Sequence, residues 1–150
     1  MAQTKGPGPG GDLQSGMSSF RDSIARALPD LVAIRHDLHQ HPELAYEEHR
    51  TAGVVTKQLD ALGIKYVSGL AGGTGVVAHL PATEPVGPGV GAIGLRADMD
   101  ALPIIEQTGL AYASKTAGKM HACGHDGHTT ILLGAARVLA GAKRPRPVTL

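Results

Sequence analysis

The sequence predicts an α/β fold, on three observations: helical periodicity in its first third, short β-rich segments in its middle, and a return to helix and then strand at its end. Residues 1–19 contain Gly-Pro-Gly-Pro-Gly-Gly and short serine-containing stretches. Such a composition buries too little apolar surface to offset its ordering entropy, so a disordered leader is expected, with Met17 as an alternative start. Ile24, Leu28, Leu31, Ile34 and Leu38 then recur at spacings of three and four. Pro29 and Asp30 suit an opening turn, which places the start of the main helix near Leu28, and His41-Pro42 ends it. A second helix is expected over residues 45–62, with Val54, Val55, Leu59 and Leu62 buried and Gly63 as its stop.

Residues 64–67, 75–80 and 90–97 read as three strands separated by Gly and Pro. The last is nearly continuously apolar, the pattern of a strand buried on both faces. A loop follows to Cys123, with a short strand or turn expected near residues 110–113. The third helix should begin at His125 or Asp126 and end at Gly141, with Ile131, Leu132, Ala135, Val138 and Leu139 inward. Val148-Thr149-Leu150 reads as the first residues of a further strand.

Composition narrows the function. A chain of 150 residues supports one domain with a real core, built from aliphatics because it has one Phe, three Tyr and no Trp. A net charge of +1 with few aromatics gives no reason to expect nucleic acid or an anionic membrane as partner. Lys143-Arg144-Pro145-Arg146 reads as a solvated turn. No stretch reaches the roughly 18 apolar residues that span a bilayer. A single cysteine excludes an internal disulfide, and a cytoplasmic location is expected.

Chemistry concentrates in His121-Ala-Cys123-Gly-His125-Asp126-Gly-His128. Thiolate and imidazole are good ligands for a borderline-soft divalent ion, and Gly124 allows the tight turn that would let Cys123 and His125 converge on one. An isolated Cys-x-His pair is more often a buried thiol beside a capping histidine, but the density of ionisable groups reverses those odds. Asp126 suits a helix cap and a bond to a metal-bound histidine about equally, and His128 suits the site or solvent. A second block, Arg96-Ala-Asp98-Met-Asp100-Ala-Leu-Pro103, lies at the carboxyl end of the apolar strand, where open α/β sheets bind ligands. Its carboxylates could orient an imidazole, bridge ions or form a turn. A third, running from Arg35-His36-Asp37-Leu38-His39 to Pro42-Glu43-Leu44, reads as structural, its histidines packing and capping a helix. Gly72-Gly73-Thr74-Gly75 lacks the Gly-Lys ending of a phosphate loop and precedes a strand, so it is set aside.

In order and spacing, over residues 21–150, these blocks resemble the amidohydrolase branch of the dinuclear-metal aminoacylase and carboxypeptidase superfamily, which includes hippurate hydrolases, auxin-conjugate hydrolases and N-acetyldiaminopimelate deacetylases. The resemblance implies a three-layer sandwich around a mixed, mainly parallel sheet, with residues 20–150 an incomplete N-terminal part of the catalytic domain. It matches Cys123 and His125 to metal ligands and Asp98 to the catalytic aspartate that supports the metal site, with Asp100 the alternative holder of that role. It implies two divalent ions, manganese or zinc and possibly cobalt, that polarise the amide carbonyl of a small N-acyl amino acid and activate a bridging water. Family members assemble as homo-dimers or larger homo-oligomers. They also continue with a Glu-Glu pair that supplies the general base, with further histidine ligands and with an inserted dimerisation domain. Glu47, Glu48 and Glu106 do not sit in the context of that pair, so this chain alone is expected to be inactive. The competing readings are a non-enzymatic metal-binding or interaction module and, more weakly, a thiol redox protein using Cys123.

Overall fold

The computed structural model describes the backbone of residues 10–150 and side chains from residue 20 onward. The chain forms helix α1 (Gly10–Gln40), helix α2 (His49–Ala61), strands β1 (Lys65–Leu70), β2 (Gly75–Leu80) and β3 (Ile93–Gly94), helix α3 (His125–Gly141) and strand β4 (Val148–Thr149). The disorder expected of the leader lies outside the described residues for positions 1–9, whereas residues 10–19 belong to α1. The helix also runs through Pro29 instead of starting beside it. Ala27, Leu31 and Leu38 are buried in its C-terminal half, and Leu38 alone, fully buried, contributes about 1.5–3 kcal/mol, enough to offset much of one lost backbone hydrogen bond.

Helix α2 starts four residues later than expected, because Tyr46 takes a left-handed conformation at φ 68° that no helix accommodates. Its free amides are capped from outside: the Glu43 carboxylate accepts the N–H groups of Arg50 (2.9 Å) and Thr51 (2.8 Å) and the Thr51 hydroxyl (2.8 Å). After α2, β1 and β2 form an antiparallel hairpin that pairs Lys65 with His79 and Val67 with Val77. The glycine run set aside as a phosphate loop is its turn, where Gly73 at φ 123° adopts backbone that only glycine enters freely.

The sheet order is β1-β2-β4-β3, with β1/β2 and β2/β4 antiparallel and β3/β4 parallel. The sheet is mixed, and parallel pairing is confined to its β3 side because the tight hairpin allows no other arrangement of β1 and β2. Leu59 of α2 and Ala136 of α3 pack with Ile64, Ala78, Leu80 and Val148 to form the core on one face. On the other face, Val67 and Val77 stay exposed. The strand expected over residues 90–97 is paired only at Ile93–Gly94, and Ile93 and Leu95 are exposed instead of buried. A strand is fixed by its neighbour, and β4 is only two residues long.

Helix α3 spans the expected residues, but its phase differs: Thr129, Thr130, Leu133, Gly134 and Ala136 are buried and Ile131 is 71% exposed. Apolar residues occur all round this helix, so their period does not single out one face. Gly134 lets α1 approach closely, since a Cβ there would lie 3.0 Å from Leu31 Cδ1. Residues 110–113 form a turn closed by the Ala113 N–H on Leu110 O (3.0 Å), without a strand.

Candidate metal centre

Backbone hydrogen bonds, more than side chains, gather the three motif blocks. Ala101 N–H donates to Glu43 O (2.7 Å), and Leu102 and Met120 exchange N–H···O bonds at 3.0 Å in both directions. Residues 43–44, 101–102 and 120 are therefore stitched side by side, and the blocks separated by about half the chain meet at the start of α3. The turn into α3 is made by Gly124 at φ 81°, a left-handed position that most other residues would strain to hold.

At that turn His125 is held on one ring nitrogen. Its Nδ1 lies 2.9 Å from Asp100 O and 3.0 Å from Asp100 Oδ1. A peptide carbonyl only accepts, so Nδ1 carries the proton and Nε2 keeps its lone pair. Two residues away, the Cys123 thiol is free and exposed. His128 is exposed on the first turn of α3 with its ring 5.5 Å from that of His125. Asp98 stands apart from this arrangement: its carboxylate pairs with Arg96, and its carbonyl accepts the Thr129 hydroxyl (3.1 Å). The carboxylate that touches His125 is thus Asp100, two residues beyond the one matched through the resemblance.

Asp126 takes neither expected role. It makes no side-chain cap of α3, and its Oδ2 receives Arg35 Nε (3.1 Å) and lies 2.8 Å from His39 Nδ1. The other ring nitrogen of His39 faces Glu106 Oε1 at 3.3 Å. These groups, apart from the half-exposed Arg35, are buried, and the rings of His36 and Tyr112 stack 3.7 Å apart beside them. Burial pushes the Glu106 carboxyl up, but bonds from the Thr108 hydroxyl, the Ser114 N–H and the His39 ring outweigh this and hold it below its usual value. The third block is structural, as its histidines suggested, with His39 tying α1 to α3. Glu106 and Tyr112 escaped the sequence reading because each is a lone polar residue in a long loop, with no periodicity to mark it.

His121 is the other surprise. It is buried, both ring nitrogens lack partners, and burial pushes its pKa below the usual range. Asp126 Oδ1 is likewise buried and unpaired. Such orphaned polar atoms next to an exposed thiol and a one-sided imidazole are consistent with a site that takes a further polar occupant. The donors fit a divalent ion in kind, thiolate sulfur and a neutral imidazole nitrogen, but no group of three or more His, Cys, Asp or Glu converges as a metal cage among the described residues.

Comparison with known proteins places this geometry. Residues 94–150 match the family model for peptidase family M20/M25/M40. A Rhodococcus jostii protein named as a glutamate–cysteine ligase is 51% identical over 121 residues, 80% of this chain but 14% of that protein. The N-acetyl-L-cysteine deacetylase of Bacillus subtilis is 55% identical over 109 residues, 73% of this chain and 25% of that protein. Among solved structures, the Bacillus subtilis YXEP protein, described as a dinuclear metal binding peptidase, superimposes with a TM-score of 0.74 at 37% identity, covering 86% of this chain and 34% of that one. The chain spans about a quarter or less of the length of these curated relatives.

Proposed function

We propose that this chain, whose residues 94–150 match the model for peptidase family M20/M25/M40, carries part of the catalytic domain of a metal-dependent amidohydrolase that cleaves the amide bond of N-acyl amino acids. Cys123 and His125 are two protein donors of a dinuclear centre, and zinc, manganese and cobalt all suit a mixed sulfur and nitrogen set completed by carboxylates. When bound, the ions would polarise the substrate carbonyl and lower the pKa of a coordinated water. The observation that carries this reading is the one-sided imidazole: Asp100 fixes Nδ1–H, which leaves the Nε2 lone pair of His125 free two residues from an exposed thiol.

Each residue has a separate task. Cys123 gives a thiolate. His125 gives a nitrogen whose tautomer is set before any ion arrives. Asp100, and not Asp98, orients that imidazole, because Asp98 is engaged with Arg96. Arg35, His39 and Asp126 anchor the first turn of α3 and so hold the position of His125.

Glu106 is tied to His39 and Thr108, and Glu47 to Lys119. With two donors and no third His, Cys, Asp or Glu converging with them among the described residues, the 150-residue chain is expected to hydrolyse little or no substrate. A cytoplasmic location suits the lone free thiol, and no helix among the described residues is long and apolar enough to cross a membrane. Full-length relatives of this architecture would work as homo-oligomers.

The test is to measure zinc and manganese content after equilibration of the chain and of Cys123→Ala, together with hydrolysis of N-acetyl-L-cysteine. Metal bound by the chain and lost in Cys123→Ala supports the assignment. Equal stoichiometry in both would defeat it, and turnover at an ordinary enzymatic rate would defeat the expectation of little or no hydrolysis.

A further inference from the structure

Helix α3 carries two threonines side by side, Thr129 and Thr130, both buried, and their hydroxyls take different partners. Thr130 donates to Asp126 O (2.7 Å), the carbonyl four residues back, which is the ordinary partner of a hydroxyl inside a helix. Thr129 has the same choice in the carbonyl of His125. It donates instead to Asp98 O (3.1 Å), 31 residues away on the segment that follows β3. We propose that this bond makes Thr129 a positioning residue of the metal centre: it holds residues 98–100 where Asp100 can fix the proton on His125 Nδ1. Its importance for metal binding rests on His125 being an ion donor, as proposed above; its effect on the proton does not.

Repeat distances explain why this hydroxyl reaches that carbonyl. His125 and Thr129 are four residues apart in α3, so they stand on one face with about 6 Å between them along the helix axis. Carbonyls two residues apart in an extended chain point the same way and lie about 6.6–6.8 Å apart. Asp98 O and Asp100 O have this spacing in sequence, and each meets one donor of α3. Thr129 Oγ1 donates to Asp98 O, and His125 Nδ1 lies 2.9 Å from Asp100 O and 3.0 Å from Asp100 Oδ1. Residues 98–100 thus run along the first turn of α3 in the opposite direction, fastened at two points. The backbone is next pinned further off, by Leu95 N–H on Thr149 O (2.8 Å) and Ala101 N–H on Glu43 O (2.7 Å). A carbonyl stripped of its partner turns toward water, and a rotation of the peptide after Asp98 moves Asp100, two residues on.

The consequence falls on one proton. A neutral imidazole carries a single ring proton for which its two nitrogens compete. The two oxygens of Asp100 decide that competition for Nδ1 and leave Nε2 with its lone pair. When Asp100 shifts, the proton divides between the nitrogens, and Nε2 has no lone pair to give in the fraction that carries it. Thr129 therefore acts on ion binding through Asp100 and His125, without touching the ion.

The experiment compares the parent chain with Thr129→Val and Thr129→Ala, which lose the hydroxyl and differ in shape, and with Thr129→Ser, which keeps it. Thr130→Val controls for the loss of a buried hydroxyl from α3. NMR of the ring nitrogens at about pH 8, where imidazole is neutral, locates the proton of His125 without metal, and calorimetric titration reads zinc affinity. Thr129→Val and Thr129→Ala should move a measurable share of the proton to Nε2 and weaken zinc binding about 3–10-fold, less than the loss of a group that touches the histidine. Thr129→Ser and Thr130→Val should match the parent in both readouts. The proposal is overturned if the proton stays on Nδ1 in the variants without the hydroxyl, if Thr130→Val moves it as far, or if Thr129→Ser fails to restore it. A parent chain that takes up no zinc would defeat the metal assignment alone, because the proton is located in the absence of metal.

Discussion

His39 and His125 each set Nδ1 against an aspartate, and they differ in what the other nitrogen does. His39 is 4% exposed and meets Asp126 on one side and Glu106 on the other. His125 is 19% exposed, meets Asp100 on one side and leaves Nε2 free. A ring tied at both nitrogens is a cross-link: it fixes α1 to α3 and cannot give a lone pair to anything else. A ring tied at one nitrogen is pre-set to bind. The closed network should thus govern stability and the open one ligand affinity, although the two lie one residue apart at Asp126 and His125.

The largest effect expected is on stability. Asp126→Ala removes the acceptor of both Arg35 and His39 and leaves the buried Nδ1 of His39 unpaired, so unfolding in urea should be easier by about 3–5 kcal/mol. Cys123→Ala, at an exposed position outside that network, should stay within about 0.5 kcal/mol. Comparable losses in the two variants would break the division. On the open side, Asp100→Asn is expected to weaken zinc binding about 10–100-fold, the usual effect of losing a carboxylate behind a ligating histidine. Asp98→Asn should change it by no more than a few-fold. Calorimetric titration decides, and a reversal of the two aspartates would return the supporting role to Asp98.

Legibility in the sequence followed the same division. Helix α3, the hairpin and the Cys123–His125 turn were readable because periodicity, glycine and ligand density are local signals. The closed network was not, since it joins Arg35, His39, Glu106 and Asp126 across up to 91 residues, and no spacing rule couples a loop glutamate to a helix histidine. The choice between Asp98 and Asp100 was open for a related reason: spacing is blind to which carboxylate a turn aims at His125. The apolar run over residues 90–97, paired only at Ile93–Gly94, misled in another way. Its apolar composition reports β propensity, which does not say how much of a strand its neighbours cover.

Glu43 offers a smaller test between the two regions, because it lies in the structural block yet its carbonyl anchors Ala101, next to Asp100. Glu43→Ala deletes the cap on Arg50 and Thr51 and should cost about 1 kcal/mol of stability. Its backbone carbonyl remains, so zinc affinity should be unchanged within error. A fall in affinity would show that the two regions are coupled through this strand-like bridge.

The smallest effect concerns acid. Glu106 is held below its ordinary value of 4.5 although burial alone would raise it, because Thr108, Ser114 and His39 hydrogen-bond its charged form. A carboxyl with a depressed folded-state pKa gives stability that is complete above the unfolded value and is lost as pH falls through the folded one. The urea midpoint should therefore hold down to about pH 5 and decline below about 4.5 as the unfolded chain takes up a proton that the folded chain resists. Glu106→Gln should be less stable at neutral pH and lose less on acidification, while Cys123→Ala should keep the slope of the parent chain. If Glu106→Gln leaves the slope unchanged, the acid sensitivity comes from other carboxylates, and the closed network is held by Asp126 alone.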